Sequence, residues 1–239
     1  MRSAETPAKA RMPAPKAPSE TMSERAYQHL RADVIAGALA PGQKLRLQAL
    51  QQRYELGISP IREALMQLSG EGLVSNDGQR GFSVSPLSKE DMLDLMHARI
   101  SVETLLLQDA IEHGDDDWGA SITAAYYKLT RARLPQDPND LVAVELWEAA
   151  HRGFHAALLA AARSKWLMRI DEQLIDHSER YRRIRLAYTA SAQQLEDDVM
   201  SEHAQLMEAA LARNAGLACE LLRSHLMRTA QVLGERFAE

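Results

Sequence analysis

Four histidines are the residues of this chain best suited to carry chemistry: His151, His155, His203 and His225. His151 and His155 stand four apart, so a helix places both on one face, together with Val144, Trp147, Leu158 and Leu159. His203 shares a helical face with Val199, Leu206 and Ala210. His225 shares one with Leu221, Leu222 and Val232. Half of the eight histidines thus point inward, from three helices. One inward histidine is ordinarily a hydrogen-bonded core residue. Imidazoles converging from separate helices suit a divalent metal ion (Zn, Ni, Mn or Fe), and a vacant coordination position would admit a ligand oxygen. Spacing alone leaves both readings open.

A second candidate site involves Arg99, which shares its helix face with Leu95, Met96 and Val102. A guanidinium on an apolar face needs a carboxylate partner. Glu103, four residues on, offers an internal ion pair. The carboxylate of a small effector offers the alternative, because a guanidinium forks onto two oxygens at once. The basic run Arg180, Arg182, Arg183 and Arg185, with His177 beside it, reads as a solvated helix face. The single cysteine, Cys219, reads as a small apolar residue; it excludes an internal disulfide framework and fits a reducing cytoplasm.

A third group lies nearer the N-terminus. Ile58, Ser59 and Arg62 begin a short helix, with Met66 one turn on. At the N-terminal end of a recognition helix such residues meet DNA: Arg62 a guanine or a phosphate, Ser59 a phosphate, Ile58 a thymine methyl. Lys44 and Arg46, just upstream, would position the backbone. Arg80-Gly81 has the chemistry of a loop tip reaching a phosphate or the minor groove. Each basic residue alone is ordinarily a solvated charge; the arrangement carries the DNA reading.

The elements that would hold these residues follow from pattern. Residues 1–22 are rich in Pro, Ala, Lys and Ser and cannot offset their ordering entropy by burial, so they are expected to be a disordered tail. From Ser23, Ala26, Leu30 and Val34 recur at helical spacing until Gly37 and the turn Pro41-Gly42. A short helix spans Leu47 to Tyr54. Ser59 is the expected N-cap and Pro60 the first residue of a helix reaching Gly70, which buries Ile61, Ala64, Leu65 and Leu68. Leu73–Ser75, the turn Asn76-Asp77-Gly78 and Gly81–Val84 read as a two-stranded hairpin. Three helices and a hairpin make a winged helix-turn-helix over residues 23–86. From Ser88, whose spacing to Asp91 resembles a capping box, the signal is helical to the end: six helices, with breaks at Gly114, 134–140, 162–164, 188–191 and 214–216. The expected fold is mostly α, with an antiparallel all-α bundle over residues 87–239.

Charge agrees with that division. Residues 1–88 carry 11 Lys/Arg against 8 Asp/Glu, whereas residues 89–239 carry 17 against 25, within a chain of net charge −5. A nucleic-acid footprint is therefore confined to the first part. No apolar run approaches a membrane span, and no signal-peptide segment opens the chain, so a cytoplasmic location is expected.

Pro41-Gly42-Gln43-Lys44-Leu45, Leu50, Pro60-Ile61-Arg62-Glu63-Ala64-Leu65, Glu71-Gly72-Leu73-Val74 and Arg80-Gly81-Phe82 together resemble the GntR family of bacterial regulators. With the helical second part, the likeness is to the FadR-type branch with its FCD ligand-binding domain, over about Ser23 to Phe237. The family's arginine beside the capping Ser/Thr falls on Ile58, a departure; its second arginine is Arg62. Gly57-Ile58-Ser59-Pro60 looks like the subgroup of CsiR-type repressors. FCD domains commonly hold a metal by an Asp-x-x-x-His pair, a later Glu-His and a last-helix His, which fall on His151, His155, His203 (after Glu202) and His225. His151 in place of Asp keeps a ligand and removes a negative charge. The resemblance implies a homodimeric repressor on a two-fold double-stranded DNA operator, with a small carboxylate effector whose pocket Arg99 and Glu103 complete. A metalloenzyme fused to a DNA-binding module is the competing reading, with Glu148 and Glu202 the nearest candidate bases. A purely structural metal is another.

Overall fold

The computed structural model describes residues 20–78, 80–135, 137, 140–188 and 192–234. Helix α1 (Met22–Ala36) starts one residue before the expected Ser23, because Thr21 caps it. The Thr21 hydroxyl accepts from the Glu24 amide, and the Glu24 carboxylate takes the Thr21 amide in return. The tail expectation therefore overran by two residues; positions 1–19 lie outside the described residues. Gly37, at φ 78°, ends α1 in the left-handed region that glycine enters without strain.

Strand β1 (Lys44–Leu45), α2 (Leu47–Tyr54), α3 (Ile58–Gly70), β2 (Val74–Asp77) and β3 (Gly81–Val84) complete the first unit. Its core is Leu30, Leu50, Ile61, Leu65 and Leu68 with their neighbours, drawn from the apolar faces legible in the sequence, joined by Leu39 from the connection after α1, which no periodicity marks. Three local expectations change. Helix α3 begins at Ile58 with Gly57 at its cap, so Ser59 is not the N-cap and Pro60 is the third helical residue. Proline is tolerated there because the first helical amides have no intrahelical acceptor. The hairpin is longer than expected: Asn76 and Asp77 are strand residues, with Asp77 opposite Gly81. The sheet also has three strands, since Lys44 and Leu45 pair with Ser83 and Phe82.

The second unit is α4 (Lys89–His113), α5 (Asp116–Arg131), α6 (Leu141–Leu159), α7 (Lys165–Tyr188), α8 (Ala192–Leu211) and α9 (Ala215–Gly234). Ser88 caps α4 by accepting from the Asp91 amide, but the Asp91 carboxylate accepts from the Tyr181 hydroxyl instead of closing a reciprocal box. Ile100, Leu106, Leu107, Ile122, Phe154, Leu158, Leu206 and Leu222 form the main core of this bundle. No helix among the described residues is long and apolar enough to cross a membrane.

Candidate metal centre and nucleic-acid interface

Helix α6 carries Trp147, Glu148, His151 and His155 down one buried face, α8 brings in His203, and α9 brings in His225. One nitrogen from each of the four imidazoles lies within 4.8 Å of the others, and all four residues are buried. Two rings are aimed by outer partners. His203 Nδ1 lies 2.6 Å from the Val199 carbonyl oxygen, and His225 Nδ1 lies 2.7 Å from Glu202 Oε2. With those oxygens accepting, each Nδ1 holds the proton and each Nε2 offers its lone pair inward. His151 is held by stacking on Trp147, centroids 4.8 Å apart. Burial first, then the neighbouring imidazoles, push His151 and His155 well below the usual histidine range, so both are neutral as metal ligands must be.

The donor set fits a divalent ion. His155 Nε2 and His203 Nε2 stand 3.2 Å apart. Two nitrogens each ~2.0–2.1 Å from one metal ion are about 2.9–3.4 Å apart as the angle between them widens from octahedral to tetrahedral, and the octahedral end leaves positions free for a further ligand. Two neutral imidazoles at this distance satisfy each other through one shared proton at most, whereas a cation satisfies all four lone pairs.

Next to the histidines lies a buried charged cluster, most of which the sequence reading missed. Arg99 is 3 % exposed, and its Nε and Nη2 lie 2.7 and 2.6 Å from Glu103 Oε1. Of the two partners open to Arg99, the internal ion pair is thus present. Arg99 Nη1 donates to Ser178 Oγ at 2.9 Å, and Arg182 Nη1 donates to the same oxygen at 3.1 Å. Arg182 also pairs with Glu148 at 2.8 Å. The basic run is therefore not a solvated face: Arg180 and Arg182 are buried, and Arg183 is paired with Glu145 and Glu179. The Arg185 side chain lies outside the described residues. A lone helix cannot show that its arginines meet acids on another helix. Glu148, on the apolar stripe of Val144 and Trp147, was the available signal, because a carboxylate there demands a cation. Asp171 completes the cluster; burial first, then the Glu103 charge, push it up to about 7.

At the other end of the chain, Lys44, Arg46, Ile58, Ser59, Arg62, Arg80 and Gly81 are all exposed. Ile58, Ser59 and Arg62 crown the N-terminal turn of α3, Lys44 lies in β1, and Arg80-Gly81 enters β3 at the hairpin tip. Pairing of β1 with β3 ties Lys44 to the hairpin, so the strand missed from sequence joins two parts of the candidate face. Arg80 keeps an exposed pair with Asp77 at 3.7 Å.

Comparison with known proteins follows the same division. The family of bacterial regulatory proteins named gntR matches residues 22–84, and the FCD domain matches residues 94–228. The uncharacterised HTH-type transcriptional regulator BphR of Paraburkholderia xenovorans (strain LB400) is 38% identical over 92% of this chain and 89% of its own. The HTH-type transcriptional repressor GlaR of Escherichia coli (strain K12) is 34% identical, over 89% of this chain and 96% of its own. In fold, the chain is similar to McbR/YncC of E. coli, with a TM-score of 0.74 at 20% identity, over 91% of this chain and 99% of that one.

Proposed function

The chain belongs to the GntR family of bacterial transcriptional regulators, in the branch with an FCD domain, and from that premise we propose a homodimeric repressor released from its operator by a small carboxylate. The carboxylate binds between a metal held by His151, His155, His203 and His225 and the guanidinium of Arg99. The observation that carries this reading is the convergence of four buried imidazoles beside a buried arginine. A metal held there would supply an electrophile to one carboxylate oxygen, and the arginine offers a fork to others. Glutarate or hydroxyglutarate suits two such poles. Glu103 Oε2 has no hydrogen-bond partner among the described residues, so Glu103 has capacity to rearrange when Arg99 takes a new anion.

At the DNA, Arg62, Ser59 and Ile58 are proposed to meet the major groove, with Lys44, Arg46 and the Arg80-Gly81 tip on the backbone. The repressor role is supported by the name of the relative GlaR. Families and relatives alike are regulators, which removes the metalloenzyme reading.

The test is a titration of glutarate and 2-hydroxyglutarate against the metal-loaded protein–operator complex, with wild type and Arg99→Ala in parallel. Release of wild type at concentrations that leave Arg99→Ala bound is the expected result. Equal release of both, or of chelated protein that remains folded, would overturn the pocket. Loss of fold on chelation with no ligand effect would leave the metal structural.

A further inference from the structure

The two units have separate hydrophobic cores, and the seam between them is polar. Arg31 of α1 pairs with Asp176 Oδ2 of α7, and Asp176 Oδ1 takes Arg152 of α6. His177 Nε2 lies 2.8 Å from the Glu71 carbonyl oxygen, and Arg180 donates to the Ser85 carbonyl. A pocket of about 250 Å³, open to solvent, lies between α1, α6 and α7, lined among others by Arg31, Ile35, Glu148, Arg152 and Arg183. Units joined by a few polar bonds beside an open pocket can move against each other, as domains without a shared apolar core ordinarily do.

The same stretch of α7 holds the charged cluster. Ser178 donates its proton to the Ile175 carbonyl and accepts from Arg99 and Arg182. Contacts to the DNA-reading unit at 176, 177 and 180 therefore alternate with contacts to the buried arginines at 178 and 182. These positions span roughly 9 Å of helix. A helix this short moves as one body. A ligand carboxylate that takes Arg99 and Arg182 competes with Glu103 and Glu148 and with Ser178 Oγ, which accepts from both arginines, and α7 cannot shift at Ser178 and Arg182 while staying fixed at Asp176 and Arg180.

We propose that α7 carries the state of the Arg99–Ser178–Arg182 site to the DNA-reading unit, through the double ion pair of Asp176 with Arg31 and Arg152. The bound effector favours the arrangement in which Arg31 and Asp176 are apart. This rests on the carboxylate reading above, and differs from coupling through the chain connection into α4. Coupling of this kind needs a ligand that prefers one of two arrangements, and α7 is the element both sites bias.

Full-length metal-loaded protein, as wild type, Arg31→Ala and Asp176→Asn, tests it with glutarate as the probe. Melting temperature reports binding and operator affinity reports response. Both variants should keep the wild-type rise in melting temperature. The ratio of operator affinities without and with glutarate, about tenfold or more in wild type, should fall below about twofold. A full response in Arg31→Ala overturns the α7 route. If glutarate moves neither readout in wild type, the effector reading has failed, and the seam is judged by operator affinity without ligand in wild type, each single variant and the double. Single variants that each change affinity, with a double no further changed, support the coupled pair. Four equal affinities overturn it.

Discussion

At the level of single residues, Glu202 does more for the histidine cluster than its distance from the centre suggests. It orients His225 through Oε2 and holds Arg228 through Oε1. Removing such an outer partner of a metal-bound histidine ordinarily weakens metal affinity by about 10–100-fold. Glu202→Ala should show that loss in competition with a chromophoric chelator while the fold, followed by circular dichroism, is kept; unchanged affinity would free His225 of any need for orientation. Asp171 has a different role. Its folded-state value near 7 lies above the unfolded one, so the native state retains a proton that the unfolded chain releases. Stability tied to it is full below about pH 4 and is lost as pH rises through about 7. In metal-free protein, Asp171→Asn should raise the unfolding free energy over wild type more at pH 8 than at pH 5, by roughly 1–3 kcal/mol at the upper end, read from chemical denaturation. A difference independent of pH would mean that Asp171 ionises as an ordinary carboxylate.

At the level of elements, the junction of α4 and α5 is set by one glycine. A Cβ at Gly114 would stand 2.4 Å from Trp118 Cε3 and 2.9 Å from the Ala110 carbonyl oxygen. Trp118 is itself fixed, buried with its indole N–H on the Leu158 carbonyl and the Arg213 guanidinium over its ring. Gly114→Ala should therefore cost about 1–3 kcal/mol by overpacking, read from chemical denaturation. A cost below a few tenths would show that the ring can move. Gly114 was legible as a helix stop because glycine and periodicity are local signals. So were the apolar faces of α1 and α3 and the inward histidines, whose convergence follows once three apolar faces share one core. Strand β1 was not legible: two residues make no alternation, and only pairing with Ser83 and Phe82 makes Lys44 and Leu45 a strand. The burial of Arg180 and Arg182 was hidden for a similar reason, since the acids and carbonyls that receive them lie on other elements.

Across the whole molecule, charge is segregated. The chain carries a net charge of −5, yet the exposed residues of the candidate DNA face are basic or neutral: Lys44, Arg46, Arg62 and Arg80 among them. An acidic protein that binds through such a patch still releases counterions locally. Operator affinity should fall steeply with salt, with a slope in log–log terms of about −0.9 for each phosphate neutralised, and each of Arg46→Ala and Arg80→Ala should flatten it by about one unit. Direct measurement at four or five salt concentrations suffices, and a slope unaltered in both variants would move the face elsewhere.

The polar seam has a consequence for how such a molecule can change over generations. Of the bonds by which α7 docks the DNA-reading unit, those of His177 and Arg180 end on main-chain carbonyls, at Glu71 and Ser85, which any sequence supplies. Among the described residues, Arg31 is the side-chain partner in these bonds that must be inherited. A reading head from a relative, grafted ahead of residue 88 with an arginine at that one place, would meet a ready socket. On the proposed function, recognition of an operator and recognition of a metabolite could then be recombined almost independently, with an arginine at this place as a condition of exchange.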